Sequence, residues 1–176
     1  GYRRLAIAAG LGAAGALAFE PFRAFPLLLV AYAALLLLLD GASVGERRFR
    51  DAAHTGWAFG FGFFLVGHYW VGYAFLVDTK AHLLLLPLAP GLHVYLALSF
   101  GLAAALVRRF WPNDWTRIAL FAASLTAFEW VRGHLFTGFP WNLLGYAWGG
   151  SDWMIQSTSL VGVYTLSLLT VLAAAA

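Results

Sequence analysis

Glu129 and Arg132 stand three residues apart in sequence that is otherwise apolar, so one helix face can carry both. A carboxylate in such surroundings is costly and is normally paired or put to use. Two readings stay open: an ion pair that closes a helix end, and a role at a lipid headgroup. The residues that follow, Gly133-His134-Leu135-Phe136-Thr137-Gly138-Phe139-Pro140-Trp141-Asn142-Leu143-Leu144-Gly145-Tyr146, are interrupted by Gly and Pro yet rich in aromatic and aliphatic side chains. A loop that apolar suits the outer headgroup layer of a membrane better than open water.

Other chemistry is thinly represented. With no cysteine in the chain there is no disulfide, no thiolate metal site and no thiol nucleophile. No H-E-x-x-H occurs, and no pair of His or carboxylate residues has metal-ligand spacing, so neither a metal nor another cofactor is expected. Of the five histidines, His68 and His93 lie within apolar stretches and read as hydrogen-bonded core histidines. Gly10-Leu11-Gly12-Ala13-Ala14-Gly15 imitates a dinucleotide fingerprint, but Glu20-Pro21 cuts off the helix that such a site requires. Gly41-Ala42-Ser43-Val44-Gly45 imitates a nucleophile elbow, but it falls in a short Arg-rich loop rather than after a strand. Arg3-Arg4, an apolar run and Ala16-Leu17-Ala18 imitate a secretory signal; five further apolar stretches favour an uncleaved first span.

The elements that must position these residues follow from composition. The 176 residues are 62% hydrophobic, 17% aromatic and 11% charged. Soluble domains average about 45–50% apolar and about 25% charged. That excludes an ordinary cytosolic domain and a disordered chain. A net charge of +3 without a basic stripe excludes a nucleic-acid partner. Six apolar stretches lie between charged or Pro/Gly breaks, at 5–19, 25–39, 56–77, 91–107, 115–131 and 153–173. The expected fold is an all-α, polytopic membrane helix bundle of about six transmembrane helices, forming one transmembrane domain over residues 1–176. The first two stretches are shorter than the roughly 17–25 residues of a span, so a shallow re-entrant hairpin stays open for them.

Six crossings sort the basic residues. With the N-terminus in the cytoplasm, Arg3, Arg4, Arg47, Arg48, Arg50, Arg108, Arg109 and Arg117 lie inside, against Arg23, Lys80 and Arg132 outside. That is the bias of the positive-inside rule. Gly56-x-x-x-Gly60 and Ala8-x-x-x-Gly12-x-x-x-Ala16 line up small residues for close helix packing. Trp57, Tyr69, Trp70, Tyr73, Trp111, Trp115, Trp130, Trp141, Tyr146, Trp148 and Trp153 fall mostly near expected helix ends, as an aromatic belt does. The chain opens without Met and stops inside the apolar run Ala173–Ala176, as expected of a piece of a longer protein.

Several blocks together resemble a known family. Glu129-Trp130-x-Arg132-Gly133, Thr137-Gly138-Phe139-Pro140-Trp141 and Gly145-Tyr146 are similar to the membrane domain of apolipoprotein N-acyltransferases. Leu17-Ala18-Phe19-x-Pro21-x-x-x-x-Pro26, Gly56-Trp57-x-x-Gly60-Phe61-Gly62, Tyr69-Trp70-Val71 and Gly162-Val163-Tyr164 agree with it in order. The resemblance implies a multi-pass enzyme of the bacterial inner membrane, working as a monomer on the periplasmic side. It would move an acyl chain from a phospholipid to the α-amino group of a diacylglyceryl-cysteine lipoprotein, through a cysteine thioester. The implied Glu-Lys-Cys triad belongs to a nitrilase-like domain. With no cysteine and the single lysine Lys80, no position here takes up those catalytic roles, and this chain alone is expected to be inactive. Glu129, Arg132, Phe139, Pro140, Trp141 and Tyr146 match the family motif and are the candidate substrate- or lipid-facing residues. The competing readings are a small transporter or channel subunit, for which only His68 and His93 offer polar groups within spans, and a non-catalytic membrane assembly factor.

Overall fold

A computed structural model of the chain describes residues 1–41, 47–74, 89–136 and 138–176. The described residues are helical, with no strand. Helix α1 (Tyr2–Ala16) turns through residues 17–24 into α2 (Phe25–Asp40), which has Pro26 in its first turn, where a missing N–H does no harm. Helix α3 (Arg48–Gly67) is followed by a turn at 68–70 and the short α4 (Val71–Ala74). Helix α5 (Ala89–Arg109) and α6 (Thr116–His134) form the next pair. A loop leads to the 3-10 turn Leu144–Gly150, then to α7 (Asp152–Gln156), α8 (Thr158–Val161) and α9 (Val163–Ala175).

The six longer helices close into a ring: α1 packs on α3, α3 on α5, α5 on α6, α6 on α9, α9 on α2, and α2 back on α1. The interior is aromatic. Tyr32, Phe59, Phe63 and Phe64 are buried, and Phe100 packs at 5.6–5.7 Å from the three phenylalanines. Glycine decides how closely the ring draws together. A Cβ on Gly12 would collide with the Phe59 carbonyl, and one on Gly62 with the Ala9 carbonyl, so the α1–α3 seam excludes larger residues. Gly56 and Gly60 do the same for α5, where a Cβ would come within 2.5 Å of Phe100 O and 2.9 Å of its Cβ respectively. Side chains add cross-links: Ser124 Oγ donates to Ala103 O at 3.1 Å, and Trp57 Nε1 to Val94 O at 3.2 Å.

Two of the expected stretches run differently. The third, expected at 56–77, is helical from Arg48 and ends at Gly67, because Arg48–Ala53 is good helix-forming sequence and the chain turns at His68; residues 75–77 lie outside the described residues. The sixth, expected as one run from 153 to 173, is broken. Gly162 has φ 79° and ψ 156°, a conformation open only to glycine, and the helices on either side meet at 120°. Among the described residues one helix, Pro90–Arg109, is long and apolar enough to cross a membrane; Phe25–Asp40 is apolar but shorter.

The ring has two chemically distinct ends. Arg4 bonds the carbonyls of Leu38 and Gly41, and Asp40 accepts from Trp111 Nε1 at 3.0 Å and pairs with Arg117 at 3.3 Å. These contacts gather the start of α1, the end of α2 and the α5–α6 connection at one end, the arginine end, where Arg50, Asp51 and His54 of α3 also lie beside Arg4. At the other, the loop end, the α1–α2 turn, the close of α3 and residues 135–151 meet: Phe25 packs on Trp148 at 4.1 Å and Trp70 on Trp141 at 5.1 Å.

Candidate functional site

The site residues assemble at the loop end around Arg132. Glu129 and Arg132 leave one face of α6 and turn inward, with exposures of 7% and 6%. Arg132 Nη2 lies 4.0 Å from Glu129 Oε1, while Nη1 donates to Phe139 O at 2.6 Å and Trp141 O at 2.9 Å. The guanidinium also stacks over the Phe64 ring of α3 at 5.0 Å. Glu129 Oε1 accepts from the Leu144 N–H at 2.8 Å. One buried ion pair therefore holds the loop at two carbonyls and, beyond it, at an amide. Charge-assisted bonds of this kind are about twice as strong as neutral ones. Breaking such a pair leaves an uncompensated buried charge, at about 3–5 kcal/mol.

The backbone bends tightly to make these contacts. Gly138 has φ 76°, its N–H donates to Leu135 O at 2.9 Å, and a Cβ there would strike the Gly133 carbonyl. Phe139 N–H donates to Arg132 O at 3.1 Å, so the loop doubles back on the helix it leaves. Asn142 adopts φ 50°, which Asn tolerates better than most residues. Gly145 donates to Ser167 Oγ at 2.9 Å and lies so close to Val163 that only glycine fits. Thr137 lies outside the described residues.

The six candidates divide into two layers. Glu129 and Arg132 form the inner support. Phe139 is half-buried between His68, at 5.3 Å, and Trp141, at 6.2 Å. Pro140, Trp141 and Tyr146 lie at the surface, with Trp141 51% exposed. Residues that sequence reasoning did not attach to the loop complete it: Trp70 flanks Trp141, Asn142 packs against Gly67 beside His68, and the Tyr164 hydroxyl closes on Gly133. Trp70 and Tyr164 stood in the motif blocks, yet nothing in their spacing pointed to contact with Trp141 or Gly133.

His68 and His93 stack at 5.9 Å and are both buried; Asn142 lies beside His68, whereas the His93 ring nitrogens have no hydrogen-bond partner among the described residues, contrary to the expectation of a hydrogen-bonded core histidine there. A groove of about 270 Å³ runs outward between α5 and α6, lined by Tyr95, Leu98, Leu102, Phe128 and Phe136, with Arg132 at its inner wall. No group of three or more potential metal-ligating side chains exists among the described residues. Residues 42–45 of the nucleophile-elbow look-alike, and Lys80, lie outside the described residues.

Residues 11–176 match the family model described as the apolipoprotein N-acyltransferase N-terminal domain. The chain belongs to this family. It is 49% identical over 173 residues to the apolipoprotein N-acyltransferase of Rhodopseudomonas palustris, covering 97% of this chain and 32% of that protein. The Caulobacter vibrioides protein of the same name is 46% identical over 173 residues, covering 98% of this chain and 32% of the relative. That of Rhizobium rhizogenes is 41% identical over 182 residues, covering all of this chain and 34% of the relative. The chain thus spans about a third of the length of the curated relatives it matches. Family membership carries the name acyltransferase and favours that reading over a transporter.

Proposed function

We propose that this chain is the multi-pass membrane platform of an enzyme that transfers an acyl chain from a phospholipid to the N-terminal amine of a diacylated lipoprotein in the bacterial inner membrane. The observation that carries the reading is the buried Arg132 clamp on the Phe139 and Trp141 carbonyls. It presents Pro140 and Trp141 on a rigid base, where an indole offers an apolar face to an acyl chain and an N–H to a headgroup oxygen. The groove between α5 and α6 is apolar enough to take an acyl chain and leads from the outer surface of the ring to the clamp.

A membrane setting is supported by what the ring turns outward. Ile7, Val30, Leu37, Leu98, Leu102, Leu106 and Leu169 are exposed along the helix faces, more apolar surface than a soluble monomer leaves open. The arginines gathered at one end and the aromatic rings at the other fit a cytoplasmic N-terminus and a periplasmic loop end. In α7–α8, Trp153 and Leu160 are 87% and 88% exposed, as suits a short arm lying in the headgroup layer.

Two measurements test the reading. Reporter fusions at Asn113 and Ser151 should give inside and outside signals; an outside signal at Asn113 breaks the six-span arrangement. Full-length protein incubated with phospholipid and a diacylated lipopeptide should give triacylated product. The isolated 176-residue chain should give none, because it has no cysteine to carry a thioester. Triacylated product from the isolated chain would overturn the division of labour proposed here.

A further inference from the structure

Arg108 is a buried charge that the fold leaves unanswered. It sits in the last turn of α5 with 8% exposure, and its Nε has no hydrogen-bond partner. Its guanidinium lies 5.2 Å over the Trp111 ring and makes no ion pair among the described residues. The carboxylate within electrostatic reach, Asp40, is already engaged by Trp111 Nε1 and Arg117. The other charges in reach, Arg48 and Arg4, have the same sign as Arg108. Arg48 opens α3, where the helix dipole also disfavours a cation.

These groups face a cleft. Arg48, Arg108, Arg109, Phe110, Trp111 and Asn113 line a space of about 320 Å³ between the start of α3 and the end of α5. Three guanidiniums line one polar cleft, and one of them is buried without an ion-pair partner among the described residues, so an anion in the cleft would neutralise charge that this chain leaves unmatched. The planar fork of arginine matches a phosphate better than any other common anion except a carboxylate. Its rim carries the aromatic rings of Phe110, 60% exposed, and Trp111, which suit acyl chains next to the anion and give a free ion nothing.

We propose that this cleft binds the phosphate of an anionic phospholipid headgroup, held by the buried Arg108 and closed over by Arg48 and Arg109. The site lies at the opposite end of the ring from the Arg132 clamp. It requires only that the arginine end meets a membrane surface, so its success or failure is separate from that of acyl transfer. Basic pockets between helices on the cytoplasmic side suit acidic headgroups in this way.

The test uses full-length protein in neutral detergent, titrated with phosphatidylglycerol, with phosphatidylcholine of the same chains, and with sodium phosphate at matched ionic strength. Bound lipid is counted by native mass spectrometry, and Tm is followed in parallel. Phosphatidylglycerol should bind at least about tenfold more tightly than phosphatidylcholine and raise Tm, while sodium phosphate should do neither. Arg108→Gln should abolish that preference. Arg48→Gln, at the rim, should weaken it with the fold intact, and it decides the matter if Arg108→Gln does not fold. Arg3→Gln, on the same end but outside the cleft, should leave it unchanged. Equal binding of the two lipids, or a preference that survives in Arg48→Gln and Arg108→Gln, overturns the site. A Tm rise of the same size with sodium phosphate overturns the lipid headgroup as its source.

Discussion

Arg132 and Arg108 are arginines of nearly equal burial at opposite ends of one helix ring, and their surroundings differ in kind. Arg132 meets a carboxylate, two carbonyls and an aromatic face, all from this chain. Arg108 meets an aromatic face and two further arginines, with its nearest carboxylate held by others. The first arrangement spends a buried charge on fixing the shape of a loop. The second leaves a charge to be met from outside. Burial alone therefore does not tell the two arginines apart, and neither does Nε, which has no partner in either; what differs is that the terminal nitrogens of Arg132 meet acceptors of this chain.

The largest effect expected from this contrast is on stability. Arg132→Met strands Glu129 without its cation and should destabilise the purified protein by about 3–5 kcal/mol in thermal or denaturant unfolding. Arg108→Met, in the absence of anionic lipid, should cost less than about 1 kcal/mol, because the native protein already lacks the partner. Equal losses would erase the distinction between the two ends.

A smaller effect comes from the packing beneath the loop. Gly67 lets Asn142 lie against α3, and a Cβ there would strike the Asn142 amide. Gly67→Val should cost about 1–3 kcal/mol by overpacking and should expose the loop to limited proteolysis first. A variant as resistant as the parent would show that the loop is held by Arg132 alone.

Trp141 sharpens the same comparison on the side of function. Because the ring is half exposed, Trp141→Ala should change stability by less than about 1 kcal/mol. In the full-length enzyme it should lower kcat/KM about tenfold at normal protein abundance, as loss of a substrate contact does. Unchanged turnover per folded molecule would remove Trp141 from the site.

The smallest effect belongs to the arginine end. The hydroxyl and N–H of Thr116 hold the Asp114 carboxyl below the usual carboxylate range. A depressed folded-state value means that its stabilisation is present above the unfolded value, near pH 4, and is lost as pH falls through the folded one. Asp114→Asn should therefore slightly lower Tm at neutral pH, with the difference shrinking as pH falls below the usual carboxylate range. A drop that does not shrink with acid would point to a loss other than the carboxylate.

Much of this molecule was legible without coordinates, because the relevant signals are local. Apolar runs between charged or Pro/Gly breaks marked the helices. The small-residue spacing at Ala8, Gly12, Gly56 and Gly60 marked faces that do pack helix on helix. The i, i+3 spacing of Glu129 and Arg132 marked a pair on one face, since a helix repeats every 3.6 residues whatever surrounds it. The break at Gly162 was hidden inside apolar sequence, because glycine permits a 120° turn without requiring one.

What tertiary structure decided was which distant groups meet. No periodicity relates Arg132 to the Phe139 and Trp141 carbonyls, His68 to Phe139, or Trp70 to Trp141; the closing of the ring and the fold-back of the loop set those distances. The same closing turned Arg108 inward while giving Asp40 to Trp111 and Arg117. The sequence by itself determined the helical class, the family and the sorting of arginines toward one expected side. Only the folded ring determined which arginine is answered from within, because a side chain's partners depend on the path of chain segments that local sequence rules do not reach.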